Sequence, residues 1–130
     1  MKNQSNFDVR LPRKSKNDRD LITVVQPDIC VICDRTKIDE RGCLGAPDIV
    51  VEIISPGNNK TELNNKYEVY EESGVQEYWI VSTQDKTFLK YTLNQDGVYV
   101  ASKLLPSEGE VTTPVLPGFV LNLENVFADS

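Results

Sequence analysis

The spacing of apolar positions changes period several times along the chain, and each change marks an element. DIVVEIIS, residues 48–55, is a nearly continuous apolar run of strand length, which predicts a strand buried on both faces. Pro56 and Gly57 end it, and Asn58 or Asn59 can cap a helix running to about Ser73. Within that helix Leu63, Tyr67 and Tyr70 fall at i, i+4 and i+7 as one apolar stripe, and Gly74 supplies the stop. EYWIVS, residues 77–82, follows at once as a short apolar strand. Strand, helix and strand joined by short links make a crossover unit, so these two strands are predicted to be parallel neighbours in one sheet.

On either side the pattern is weaker. FDVRLP predicts a short edge strand closed by Pro12, before a polar loop over residues 13–20. ITVVQPDICVIC is rich in β-branched residues but contains Pro27, which starts a strand more easily than it sits inside one; a strand is predicted over 28–33. DRTKIDERGCLGAP reads as a loop. Later, TFLKYTLNQDGVYVASKLL reads as a hairpin turning at Gly97, with Tyr91, Leu93, Val98 and Val100 on its half-buried face. The tail, VLPGFVLNLENVF, predicts an irregular segment and a short helix over Val126 and Phe127. The fold class that results is α/β of the α+β kind, a central mixed sheet with one main helix.

Composition narrows the function. A chain of 130 residues is one ordinary domain, 1–130, and it has no apolar run near the ~20 residues that span a bilayer. The polar start MKNQSNFDVR lacks a signal-peptide core, so a cytoplasmic protein without a membrane partner is expected. There is no histidine, which excludes Ser-His-Asp and Cys-His catalysis. Three cysteines, Cys30, Cys33 and Cys43, argue for reduced thiols; in a strand, Cys30 and Cys33 would point to opposite faces, and burial explains them better than a metal or redox role. Net charge is −6, but Arg10, Arg13, Lys14, Lys16, Arg19, Arg35 and Lys37 crowd the first third, either as a solvated loop or as a surface facing nucleic acid.

One residue breaks the apolar run. Glu52 is a carboxylate in a strand that should be buried, where it must be paired, protonated or bound to a cation. Asp48 shares its strand face but stands four residues away, ~13 Å at strand rise, too far for one ion to bridge. Asp28 begins a different strand, and neighbouring strands lie only ~4.8 Å apart, so Asp28 and Glu52 can meet at one divalent cation. Two carboxylates, a backbone carbonyl and waters suit Mg²⁺; the competing reading is a pair of solvated acids at strand ends. Lys66 lies about 60° from Leu63 around the helix, at the border of the buried stripe, and so can reach the strand that carries Glu52. It can equally form a surface i,i+4 bridge with Glu62.

PDICVICD, GAPDIVVEIISP, the Glu62, Lys66 and Tyr70 spacing E-x-x-x-K-x-x-x-Y, GVQEYWIV and PGFVLNL together resemble the Uma2 family, also called DUF820, over residues 22–127. That family belongs to the PD-(D/E)XK nucleases, so the resemblance implies a restriction-endonuclease-like core and a DNA endonuclease using Mg²⁺ or Mn²⁺. It implies Asp28 and Glu52 as metal ligands and catalytic residues with Lys66, and Asp48 and Glu62 as accessory acids. The lysine two residues after the second acid is replaced by Ile54, and the resemblance implies that its role has migrated to Lys66. Uma2 proteins usually carry an Asp one turn before that lysine, where Glu62 stands here. They also have several dozen more residues before the first acid, against 27 here, so a fragment, a late-start product or a degenerate member is implied. DNA contacts fall to the basic first third and Lys60. The alternative is a non-catalytic homodimer, other homo-oligomer or protein-binding module that keeps the scaffold.

Overall fold

The computed structural model describes residues 7–12, 22–55, 60–106 and 108–128. Its centre is a five-stranded mixed sheet of β3 (Ile29–Val31), β6 (Ile49–Ile54), β7 (Glu77–Ser82), β8 (Thr87–Leu93) and β9 (Tyr99–Ala101), in the order β3-β6-β7-β8-β9. The β6 and β7 strands run parallel, from Ile49 opposite Glu77 to Ile54 opposite Ser82, and all other pairs in the sheet are antiparallel. The crossover between them is α1 (Lys60–Ser73). Gly74, at φ +87°, stops the helix with its N–H on the Tyr70 carbonyl at 3.1 Å. The predicted caps, Asn58 and Asn59, lie outside the described residues.

Alternation along the strands gives each sheet face its own core. Val50, Tyr78, Tyr99 and half-buried Cys30, Ile80 and Tyr91 face α1 and a second sheet, meeting Tyr70, Val75, Val9, Leu11 and Cys43. Ile49, Val51, Trp79, Val81 and Phe88 face the other way, onto Val111, Leu123 and Phe127 of the C-terminal segment. The tyrosines on the first face form a contiguous layer. Tyr67 meets Tyr91 edge-on at 4.9 Å, Tyr70 meets Tyr78 edge-on at 5.1 Å, and Tyr78 stacks on Tyr91 at 5.8 Å. Such pairs are worth ~0.5–1.5 kcal/mol each beyond the area they bury, and they fix the helix on the sheet.

The second sheet corrects two expectations. It comprises β1 (Asp8–Pro12), β2 (Ile22–Val25), β4 (Ile38–Asp39) and β5 (Gly42–Leu44), in the order β2-β1-β5-β4. FDVRLP is therefore an interior strand, antiparallel to β2 and parallel to β5, with Pro12 at its end where no further ladder bond is needed. DRTKIDERGCLGAP, predicted as loop, holds a 3₁₀ turn over Arg35–Lys37 and the β4–β5 hairpin. Neither strand of that hairpin exceeds three residues, too short for an alternation to be seen.

Smaller corrections have similar causes. β6 is buried only through Glu52, since Ile53 is 43% exposed where the strand runs past its covering layers. In the β8–β9 hairpin Tyr99 faces the core, while Val98 and Val100 are exposed, because the turn at Gly97 sets the parity opposite to the predicted one. The tail is more regular than predicted: β10 (Glu110–Thr112) pairs with β11 (Val120–Asn122), and α2 spans Leu123–Val126 with Phe127 as its C-cap.

Candidate functional site

The antiparallel β3–β6 ladder ends with Ile29 opposite Val51, so Asp28 lies just beyond the ladder at the end where Glu52 follows Val51. Pro27 fixes its own φ and keeps Gln26 extended, immediately before Asp28 at the entry to β3. The Asp28 carboxylate is tied to the partner strand, its Oδ2 accepting the Ile53 N–H at 2.7 Å. Glu52, 4% exposed, points from β6 toward α1. Its two oxygens are divided between donors one helical turn apart: Oε1 accepts from Lys66 Nζ at 3.3 Å, and Oε2 accepts from the Tyr70 hydroxyl at 2.8 Å. Lys66 Nζ also lies 3.7 Å from Glu62 Oε2 on the helix surface, so the helix-surface bridge and the inward reach coexist.

The electrostatics are in tension. Burial pushes the Glu52 carboxyl above the ordinary glutamate range; the Tyr70 hydroxyl and the Lys66 charge pull it down, and the Asp28 charge pushes it further up. Tyr70 is raised far above an ordinary phenol, first by burial and then by the Glu52 charge, and so remains a hydrogen-bond donor. Tyr78, in the same layer, is raised by the same two causes. Its buried hydroxyl has no hydrogen-bond partner among the described residues.

The Asp28 charge acts on Glu52, and two such carboxylates are a donor set that would suit a divalent cation. The cation would relieve the Asp28–Glu52 repulsion, and both ligands are hard oxygen anions. Among the described residues no group of three or more His, Cys, Asp or Glu side chains could hold a metal. An ion here would therefore draw its remaining ligands from backbone oxygen and water, as Mg²⁺ commonly does. A cleft of about 700 Å³ flanks Asp28, walled by Phe7, Pro27, Ile29 and Ile38.

The remaining candidates are placed elsewhere. Asp48 is engaged at the start of β6, accepting from the Cys33 N–H at 2.7 Å and Gln76 Nε2 at 3.2 Å, so it braces loops rather than joining Glu52. The cysteines are free: Cys43 is buried, Cys30 half-buried and Cys33 exposed. Burial, with neighbouring Cys43, pushes the Cys30 thiol up, opposite to the shift that activates a thiolate. Arg10 is paired with Asp39, and Lys37 Nζ donates to the Ala46 carbonyl at 2.9 Å, so both serve the fold. Arg13, Lys14, Lys16 and Arg19 lie outside the described residues, as does the Lys60 side chain. Tyr70 is the residue that apolar periodicity misreads, since it counts as part of a stripe while its hydroxyl serves a carboxylate. The signal available was its position, four residues after Lys66 on the face turned to a strand with a buried acid.

The described residues thus combine a parallel crossover in a mixed sheet with a buried acid on β6, a second acid just before β3 and a lysine from α1. A family model described as "Putative restriction endonuclease" matches residues 5–124. The chain belongs to that family, Uma2. Among solved structures it is similar to a DUF820 protein from Anabaena variabilis ATCC 29413, described as a "putative nuclease", with a TM-score of 0.63 and 23% identity. The match covers 81% of this chain and 60% of that one, so the chain spans about three-fifths of its length. No curated protein matches. Among the described residues no helix is long and apolar enough to cross a membrane.

Proposed function

We propose that the chain is a divalent-metal-dependent DNA endonuclease of the Uma2 kind, hydrolysing phosphodiester bonds. The observation that carries this reading is the buried Glu52 with the Lys66 ammonium 3.3 Å away and Asp28 tied to the next residue of the same strand, its Oδ2 on the Ile53 N–H at 2.7 Å. Asp28 and Glu52 would hold Mg²⁺ or Mn²⁺. When bound, the cation supplies Lewis acidity and neutralises charge on a phosphate. Lys66 approaches from the helix side, where it can donate to a phosphate oxygen and orient the attacking water. Glu62, at 3.7 Å, keeps the ammonium at the site when Glu52 is engaged elsewhere. Asp48 contributes by holding the entry of β6, not by ligation.

Digestion of plasmid and single-stranded DNA with Mg²⁺ or Mn²⁺ tests the reading. Cleavage should be lost in Glu52→Gln and in Lys66→Ala, with circular dichroism showing that both remain folded. Equal residual cleavage by wild type and both variants would overturn it. Calorimetry should show metal binding that Asp28→Asn abolishes.

A second reading, a homodimer or other oligomer that keeps the scaffold without its chemistry, is favoured by one surface. Ile22, Val24 and Leu44 are 48%, 53% and 47% exposed, and the β2-β1-β5 register sets Val24, Arg10 and Leu44 in one row. Ultracentrifugation that finds a monomer at micromolar concentration excludes it.

A further inference from the structure

We propose that Tyr70 is the positioning residue of this site, acting through Glu52: its hydroxyl pins Oε2 and so commits Oε1, the oxygen Lys66 touches, to the cation. The inference rests on the metal-site reading above and assigns within it a division of labour between the two carboxylate oxygens.

The hydroxyl is suited to the task because little around it can move. Tyr70 is fully buried, its ring is set edge-on against Tyr78 at 5.1 Å, and it sits one turn from the C-terminus of α1, where Gly74 and Val75 both donate to its carbonyl at 3.1 Å. The donor is therefore held by packing and backbone together. A glutamate has three rotatable side-chain bonds, and unrestrained it could turn either oxygen toward Asp28. With Oε2 fixed at 2.8 Å from the phenol, only Oε1 is contacted by a group that has somewhere else to go. Lys66 is that group, since Glu62 waits 3.7 Å from its ammonium, whereas the Tyr70 ring is fully buried and held edge-on against Tyr78. Lys66 and Tyr70 stand four residues apart on one helix face, so a single element delivers the mobile cation to one oxygen and the fixed donor to the other. Groups that orient a metal ligand in this way commonly change metal affinity about 10- to 100-fold when removed.

Tyr99 offers a matched control. It belongs to the same aromatic layer and is 6% exposed, but its buried hydroxyl donates to the Val75 carbonyl at 2.7 Å rather than to Glu52. Calorimetric titration with Mn²⁺ should show affinity about 10- to 100-fold weaker in Tyr70→Phe and unchanged in Tyr99→Phe, each measured below its melting temperature. Equal losses in the two variants, or wild-type affinity in Tyr70→Phe, overturn the proposal. A measurement on the wild type needs no substitution: the Tyr70 phenol proton, held by a carboxylate and shielded from water, should give a slowly exchanging downfield NMR signal that persists at saturating Mg²⁺. Its disappearance on metal addition, with the fold intact, overturns the proposal while leaving the metal site standing. Failure of the wild-type protein to bind either ion overturns both.

Discussion

Replacing Glu52 with Gln should make the protein more stable at neutral pH while removing its proposed activity. Several kcal/mol of effective penalty attach to a charge taken out of water, and at 4% exposure Glu52 bears most of it. Two hydrogen bonds to the ionised form offset this, at ~1.5–3 kcal/mol each. The Lys66 bond belongs at the low end, because the lysine side chain is 24% exposed and the contact is 3.3 Å. Glutamine keeps the shape, and its carbonyl can still accept from Tyr70. Lys66 is not stranded, having Glu62 at hand. The upward shift of Glu52 shows which side wins: burial outweighs its partners, so the charged form is worse placed in the folded chain than in water. The resulting gain is ~1–2 kcal/mol, or roughly 3–8 °C in melting temperature for a chain of this size. Its pH dependence follows from linkage. A carboxyl whose folded value is raised contributes stability that is fully present below the ordinary glutamate value of 4.5 and is lost as pH rises through the folded value. Glutamine has no such loss, so the two proteins should melt together near pH 4 and diverge with rising pH. Melting curves from pH 4 to 8 provide the test. A variant less stable than wild type at pH 8, or a difference independent of pH, would refute the reasoning.

Lys66→Ala should act in the opposite sense, costing ~1–2 kcal/mol at pH 8 and less near pH 4, because it leaves an ionised, buried Glu52 with Tyr70 alone; the same melting series measures it. Gly42→Ala should cost ~2–4 kcal/mol, since φ is +141° and an added Cβ would lie 2.2 Å from the Asp8 carbonyl oxygen; hydrogen exchange should show β1 and β5 loosened first. Thr113→Val should cost ~1.5–3 kcal/mol by removing the 2.7 Å hydroxyl donor from Glu77, which is 1% exposed, and should shift Trp79 fluorescence because the Trp79 indole shares that carboxylate at 2.9 Å. Urea denaturation followed by tryptophan emission reads both effects.

What the sequence disclosed of the fold tracks how much each segment's own pattern constrained it. β6, α1 and β7 carry strong local signals, an apolar run, a 3.6-residue stripe closed by Gly74 and a second apolar run, and all three form with β6 and β7 parallel. The β2-β1-β5-β4 sheet was not legible because its short strands acquire their state from partners distant in sequence. β1 becomes interior only because β5, more than 30 residues later, lies beside it, and Gly42 permits that approach. The β9 error is one of parity: the turn lies at Gly97 as expected, but the pairing it sets turns Tyr99 rather than Val98 and Val100 to the core.

At the site, distance along the strand argued against Asp48, and adjacency of strands argued for Asp28; the β3–β6 ladder ends at Ile29 and Val51, and Asp28 just beyond it is tied to the Ile53 N–H. Lys66 was legible for a different reason, as a charge at the margin of a buried stripe has to reach inward or outward, and here it does both. Tyr70 was hidden by the same stripe. Hydrophobic periodicity registers where a ring is buried and is blind to the hydroxyl at its tip, which in a buried tyrosine usually finds a partner. The need of Glu52 is visible in the sequence, whereas that of the Tyr70 hydroxyl emerges only once the helix is seen packed on the strand. The crossover topology that stacks that helix on that strand is what makes one need the answer to the other.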